Sequence, residues 1–488
     1  MLKLIIEKEL KSILASPKFP ATFGVSAVLI LLSVFIGLQE YQSARQQYDA
    51  AVQLVNQEMA EATNWMNVDN RVFRAPDPMQ IFVSGIHYDI GRVSPIGEWQ
   101  DVKLKRSSYA DDPIFAVFRF IDFTFIVTVV LSLLAILFTY DAINGEREQG
   151  TLKLTFANAV PRVQYVTGKF LGSWLGLVVP ILIPVLLGLL LVMLYNVPLT
   201  GDHWLKIFSL LGISLLYFTF FIAFGLLVSA ITRTSASAFL VLLVSWVALT
   251  LIIPRAGVML AGQFVPVPSV AEIESRQAKF EQDRWDQSSQ AMEARLAERR
   301  NATQGMSDDE RQAYEDEHMW DWLQEEDTSR KQVQKDIAEY NRKLTESVRN
   351  QHTVRERMGF ALSRFSPASA FQLAAMNLAG TNIALKTRYE DALHNYRTQF
   401  VDFLEKKREE TGESGGLRIS IDSEKGIDIS TGSDVGSLDL SQLPKFAAPS
   451  VAFSQIFPSL ITDVALLLLF TALTFGGGFV AFLRYDVR

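Results

Sequence analysis

Six long apolar runs punctuate the chain, at about 20–38, 117–140, 170–194, 207–231, 236–260 and 460–483. Each is close to or longer than the roughly 20 residues an α-helix needs to cross a bilayer. None alternates in the manner of a barrel strand. The pattern predicts a mainly α fold: a polytopic, six-span helical membrane protein. Pro254 and Arg255 interrupt the far end of the fifth run, where a kink or a helix end is expected. The first run is long and is followed by Gln39-Glu40-Tyr41, which is no small-residue cleavage site, so a retained span is favoured over a cleaved signal peptide.

The polar positions between the runs set the orientation. Lys3, Lys8, Lys11 and Lys18 precede the first run, and Arg147, Lys153, Arg162 and Lys169 lie between the second and third. Arg233 separates the fourth from the fifth, and Arg484 and Arg488 follow the sixth. The positive-inside rule puts these on the cytoplasmic side, with both termini there. The stretches 141–169, 232–235 and 484–488 are then cytoplasmic, and 39–116, 195–206 and 261–459 face outward. Met1–Ser16 has apolar residues near helical spacing with lysines and Glu7 between them, which predicts an amphipathic interfacial helix within 1–19 that Pro17 and Pro20 close.

The two long outward segments differ in texture. Gln39–Ala62 has neither proline nor glycine and is expected to continue the first span as helix; 70–116 reads as loops and short strands. Residues 271–350 carry 20 acidic and 13 basic side chains, no proline and one glycine, Gly305. That composition predicts long charged helices, arranged as a hairpin broken at Gly305 in preference to an extended stalk. Ser307 and Glu310 have the spacing of a capping box for the second helix. Trp320 and Trp322 either anchor a partner or pack inside the hairpin. Ser366-Pro367-Ala368 starts an apolar helix ending near Gly380, which enters the outer leaflet, covers a cavity mouth or is buried in the outer domain. A further helix is expected over 382–410, and 411–441 reads as a weak hairpin or loop.

Composition removes several chemistries. The net charge is −7, which does not favour nucleic acid, and no cysteine is present for disulfides or thiolate chemistry. The chain contains no GxxxxGK[ST] or HExxH motif. The five histidines lack metal-ligand spacing, and Asp422, Asp428, Asp434 and Asp439 match no calcium loop. No catalytic, cofactor or metal site is therefore expected. Asp122, with Arg119 near it, fits the outer interface. Asp463 lies just inside the last apolar run, where a carboxylate must face protein or a watery cavity; a hydrogen bond to a neighbouring helix and direct substrate contact are both open.

The most informative stretch begins at Asp141: DAINGEREQGTLKLTFANAVPRVQYVTGK, polar between two apolar spans. Gly150 should stop or bend one helix, and Pro161 should start another. The run ERE-x-GTLKL followed by ANAVPR-x-x-Y-x-x-GK resembles the permease subunits of ABC-2 type transporters, of the branch with enlarged extracytoplasmic domains. The resemblance implies that 141–169 couples to an ATPase through Glu146, Glu148, Gly150, Thr151 and Leu152, then Pro161, Arg162, Tyr165, Gly168 and Lys169, with Arg147 adding an ion pair. It implies a permease in a prokaryotic inner membrane, most simply an exporter. It would work with cytoplasmic ABC ATPase subunits that hold ATP and Mg, and with a second permease copy or a paralogue. The large outer region keeps two further readings open: a mechanotransmitter acting on a periplasmic or envelope protein, and a scaffold without energy input.

Overall fold

The computed structural model describes all residues except 64, 66–67, 98–101, 108–120, 159, 412–417, 423–425, 431–437 and 485–488, and leaves out the side chains of 411, 418–422 and 426–430. Arg119, Asp434, Arg488 and the side chains of Asp422 and Asp428 thus lie outside the described residues. Contacts divide the chain into two units, 1–252 with 364–488, and 253–363.

In the first unit, α1 (Leu2–Leu14) ends ahead of Pro17 and α2 (Lys18–Ala60) follows directly. α2 continues unbroken through the polar residues after Leu38, since nothing from there to Ala60 is proline or glycine. Beyond it, β1 (Asn70–Phe73) pairs antiparallel with β2 (Val93–Ile96), with Asn70 opposite Ile96 and Phe73 opposite Val93. Between these strands a tight turn, Pro78–Ile81, capped by Asp77, presses on α2. At Gly37 a Cβ would lie 2.4 Å from the Ile81 carbonyl oxygen, so only glycine admits this approach.

The second span, α3 (123–139), starts from the Asp122 cap and contains a π-helical stretch, Ile126–Leu131. Asp141–Glu148 has the composition to continue the second span directly as helix. Instead Tyr140–Ile143 forms a turn before α4 (Asn144–Glu148), because Ser229 Oγ captures the Ile143 backbone N–H at 3.0 Å. Then come α5 (Thr151–Ala157), α6 (Arg162–Leu194), α7 (Gly201–Ile231) and α8 (Ser235–Val247). A second π-helical stretch, Ala248–Ile252, ends this part. The widened turns offer carbonyls to side chains. Thr128 O accepts from Tyr217 Oη at 3.1 Å, and Leu249 O accepts from Ser366 Oγ. Trp246 Nε1 donates to Ser132 Oγ at 2.8 Å, tying α8 to α3.

Residues 253–363 form the second unit. α9 (Ile253–Phe264) packs on the end of α11 (Asp308–Ser363), where a Cβ at Gly257 would lie 2.6 Å from the Ser363 nitrogen. α10 (Val270–Ala302) and α11 make an antiparallel hairpin. Phe280 stacks on Tyr340 at 3.9 Å, Arg284 pairs with Asp336, and Arg295 pairs with Glu325 at 3.3 Å. Gly305, at φ +97°, makes the break, and Ser307 and Glu310 form the reciprocal cap. Trp322 packs inside the hairpin against Arg299, whereas Trp320 is 74% exposed. α10 buries no residue, so charge and ring pairs rather than an apolar core hold the hairpin.

The segment expected as one outer domain, 261–459, is therefore divided, and from Arg364 on the chain belongs with the spans. α12 (Pro367–Ala379), capped by Ser366 and closed by Gly380 at φ +68°, is buried against α7 and α14 (Phe453–Leu483). Its alanines permit the close fit, and Phe371 stacks on Tyr217 at 4.9 Å. The bundle, not an outer domain, receives this helix. α13 (Ala384–Thr411) follows, then the antiparallel pair β3 (Arg418–Asp422) and β4 (Gly426–Ser430). α13 and the first hairpin share a core of Val72, Ile96, Leu393, Phe400 and Leu404. Among the described residues six helices are long and apolar enough to cross a membrane.

Asp463 of α14 is fully buried, and Arg364 grips both its oxygens, Nε at 2.5 Å and Nη2 at 3.2 Å. Removing one member of such a pair costs about 3–5 kcal/mol, whereas replacing both with apolar groups is often neutral. Asp463→Asn should lower the melting temperature in detergent clearly, and Arg364→Met with Asp463→Leu should recover most of the loss. Equal destabilisation by the double variant would refute this.

Burial, reinforced by the Arg74 cation, holds the His87 imidazole well below its ordinary value of 6.5. As pH falls below about 6.5 the unfolded chain takes up this proton first, so stability is complete above that pH and falls by about 1.4 kcal/mol per unit below it, down to the folded value. His87→Gln keeps an acceptor for Arg74 and should flatten the loss of melting temperature between pH 7 and 5; an unchanged slope would refute it.

Candidate functional site

The polar segment after the second span folds onto the N-terminal helix. On α1, Ile5, Glu9 and Ile13 recur every four residues and share one face. That face lies in a groove on α6 made by Gly168, Gly172 and Gly176, again four apart. A Cβ at Gly168 would come 2.8 Å from Ile5 Cγ2, one at Gly172 2.6 Å from Glu9 Cβ, and one at Gly176 3.1 Å from Ile13 Cδ1. Small residues at this spacing are what allow two helix backbones to approach.

The groove draws Glu9 inside, where Lys169 meets it at 2.6 Å; both side chains are under 10% exposed. Lys169 also reaches Glu146 on α4 at 2.9 Å. Lys8 binds the same Glu146 oxygen at 2.7 Å, and Tyr165 Oη donates to the other at 2.7 Å. Two cations and two carboxylates thus join α1, α4 and α6 in a nearly closed, charge-balanced cluster. A polar cavity of about 280 Å³ adjoins it, lined by Ser12, Lys18, Asp141 and Gln149 among others.

The rest of the segment is fixed with similar economy. Asn144, fully buried, donates to Thr232 Oγ1 at 3.0 Å and to Thr234 O at 3.2 Å and accepts from Ser229 Oγ. Glu148 accepts from the Ser235 N–H at 2.9 Å and hydroxyl at 2.7 Å, placing a negative charge at the N-terminus of α8. Gly150, at φ +75°, turns the chain from α4 into α5, and Thr151 Oγ1 donates to Glu146 O. Leu152 is buried. Pro161 precedes the first turn of α6, and Arg162 donates to Leu483 O at 2.5 Å. Tyr165, Phe156 and Phe482 stack together, linking α5 and α6 to the end of α14.

The anticipated coupling residues therefore fall into two sets. Glu146, Leu152, Tyr165, Gly168 and Lys169 are internal, and Glu148 caps a neighbouring helix. Arg147 is exposed, together with its neighbours Lys153, Leu154 and Asn158, and Leu154 presents 68% of its surface. Asp463 is remote from this cluster in sequence and is engaged by Arg364. Glu9, Asn144, Ser229 and Ser235 were missed. Glu9 could have been found, because it is the one carboxylate in phase with the apolar face of α1. Among the described residues no group of three or more His, Asp or Glu side chains stands ready for a metal.

Six apolar helices, tied at one end by a compact polar helix pair and an N-terminal helix, define a multi-pass membrane protein with an elaborated helix-connecting segment. A family model described as ABC-2 family transporter protein matches residues 4–487, and the chain belongs to that family. It is thus a membrane transport component of an ABC system, a permease working with an ABC ATPase among lipids, and not the ATPase itself. A search of curated proteins returned no match.

Breaking the cluster from one side should be costly. Lys169→Met leaves the buried Glu9 without a cation, with Glu146 held by Lys8 alone, and should destabilise the detergent-purified protein by about 3–5 kcal/mol. Gly172→Leu should unseat α1 and raise proteolysis within residues 1–16. Wild-type protection in Gly172→Leu would contradict the groove.

Proposed function

We propose that the chain is an exporter permease whose ATPase docks on the exposed face of α4 and α5 and drives the spans through the buried charge cluster. The observation that carries this reading is the division of one short segment into an outward face, Arg147, Lys153, Leu154 and Asn158, and an inward grip on α1, α6, α7 and α8. A push on α5 would reach α6 and α14 through Phe156, Tyr165 and Phe482, and α1 through Glu146, Lys169 and Glu9. ATP and Mg belong to the partner. The chain lies in a prokaryotic inner membrane with both termini cytoplasmic, as the lysines and arginines around this end favour.

Two copies, or this chain and a paralogue, assemble side by side. Supporting this, the most apolar windows of the fifth and last spans are just 22% and 17% buried, and Leu240, Val244, Leu468 and Leu473 stand exposed. A second reading, mechanotransmission to a periplasmic or envelope partner, is favoured by the charged α10–α11 hairpin, and places the chain in the branch with enlarged outer domains. Under that reading deletion of 271–350 abolishes function and leaves the ATPase complex intact; under simple export it does not.

The test is purification from the native host followed by mass spectrometry. A stoichiometric P-loop ATPase should accompany the wild type and be lost with Leu154→Asp, whose melting temperature should stay within about 1 °C because exposed substitutions cost little. Glu146→Gln should retain the ATPase and lose at least half of the transport-coupled hydrolysis. An ATPase that binds Leu154→Asp normally, or no ATPase at all, would sink the assignment.

A further inference from the structure

Among the elements around β1 and β2 lies a cavity of about 230 Å³ with a basic wall. Arg74, Arg92, Arg106 and His87 line it, with Tyr48 and Phe73 among its other sides. No carboxylate lines it among the described residues. Asp49, next to Tyr48 in sequence, is engaged by Arg45 at 3.1 Å.

Arg74 is the anomaly. It is 8% exposed, and among the described residues its guanidinium meets only neutral partners: Nη1 lies 2.7 Å from His87 Nδ1, and Nη2 donates to His87 O at 2.7 Å. Its Nε is buried with no partner among the described residues. A buried cation is ordinarily paired with an anion, because desolvation is otherwise uncompensated. Burial accordingly pulls the Arg74 guanidinium down to about 10. At the cavity wall, Arg106 is exposed and held at φ +58°, a conformation rare for a residue with a Cβ, while its carbonyl accepts from Arg92 N at 3.1 Å. Left-handed backbone at a non-glycine residue concentrates at ligand clamps.

We propose that this cavity is an oxyanion site that takes a phosphate group, with Arg74 as the buried counter-charge and Arg106 as the clamp. Arg74, Arg92 and Arg106 bring three positive charges to the wall of one small space, which suits the double charge of a phosphate better than the single charge of a carboxylate. The remaining wall, Tyr48 and Phe73, suits a short carbon chain beside it. Such a group comes from a soluble phosphate monoester or from a phospholipid head. Both can reach the site, since Ala44 in its wall lies about 9 Å along α2 past the end of the apolar run at Leu38. The site is independent of the coupling face and stands whichever way that assignment falls.

The experiment uses the full-length protein. Glycerol 1-phosphate and inorganic phosphate are titrated calorimetrically in phosphate-free zwitterionic detergent at constant ionic strength. Melting temperatures are compared in nanodiscs of phosphatidylcholine and of phosphatidylglycerol. The variants are Arg106→Gly and Arg106→Asn, which both tolerate the left-handed backbone and should keep or raise the ligand-free melting temperature. Saturable binding of glycerol 1-phosphate or inorganic phosphate, weakened about tenfold or more in both variants, supports the site and a soluble source. Stabilisation by phosphatidylglycerol alone, lost in both variants, supports the site and a lipid source. No response to any probe, or an equal response in the variants, overturns it.

Discussion

Lys169 is the residue on which one end of this molecule is organised. Its ammonium is almost wholly withdrawn from solvent, and it is tolerated there because Glu9 and Glu146 approach it from opposite elements. Neither carboxylate has another reason to be inside. The demand for neutrality therefore fixes where α1 lies and how far α4 is drawn toward α6. The glycine groove supplies the space and the charges supply the register. A shift of α1 by one turn would keep the apolar contact but strand Lys169.

A similar economy explains why the segment after the second span is held at many points although it is short and polar. Its side chains are spent on its own protein: Asn144 on the turn before α8, Glu148 on the α8 N-terminus, Glu146 on Lys169 and Tyr165. A segment held at so many points moves as a piece with four helices. That is the property an energy-coupled permease of the ABC-2 family needs between its partner and its spans.

Much of this was legible in the chain. The apolar runs specified six spans because lipid leaves the backbone no alternative to helix. Gly305 with Ser307 and Glu310 marked the hairpin tip, since local turn and cap chemistry is written in adjacent residues. Gly150 and Pro161 bounded α5 for the same reason. What escaped notice depends on partners far away in sequence. Glu146 looked like a charge for a partner because nothing local reveals Lys8 and Lys169 closing over it. Asp463 was recognisable as needing a partner, but Arg364 is 99 residues earlier. The π-helical stretches carry no local signature, and α12 reads as a loose apolar helix until α7 and α14 enclose it.

The contact between Glu9 and Lys169 spans 160 residues, which gives it a place in time as well as in space. At a synthesis rate of about 5–20 residues per second, α1 exists for roughly 8–32 s before its groove does. During that interval Glu9 sits on the apolar face of a surface-bound helix with no counter-charge and stays hydrated. α1 is therefore made well before it can settle, and its charge-matched docking waits on the synthesis of α6.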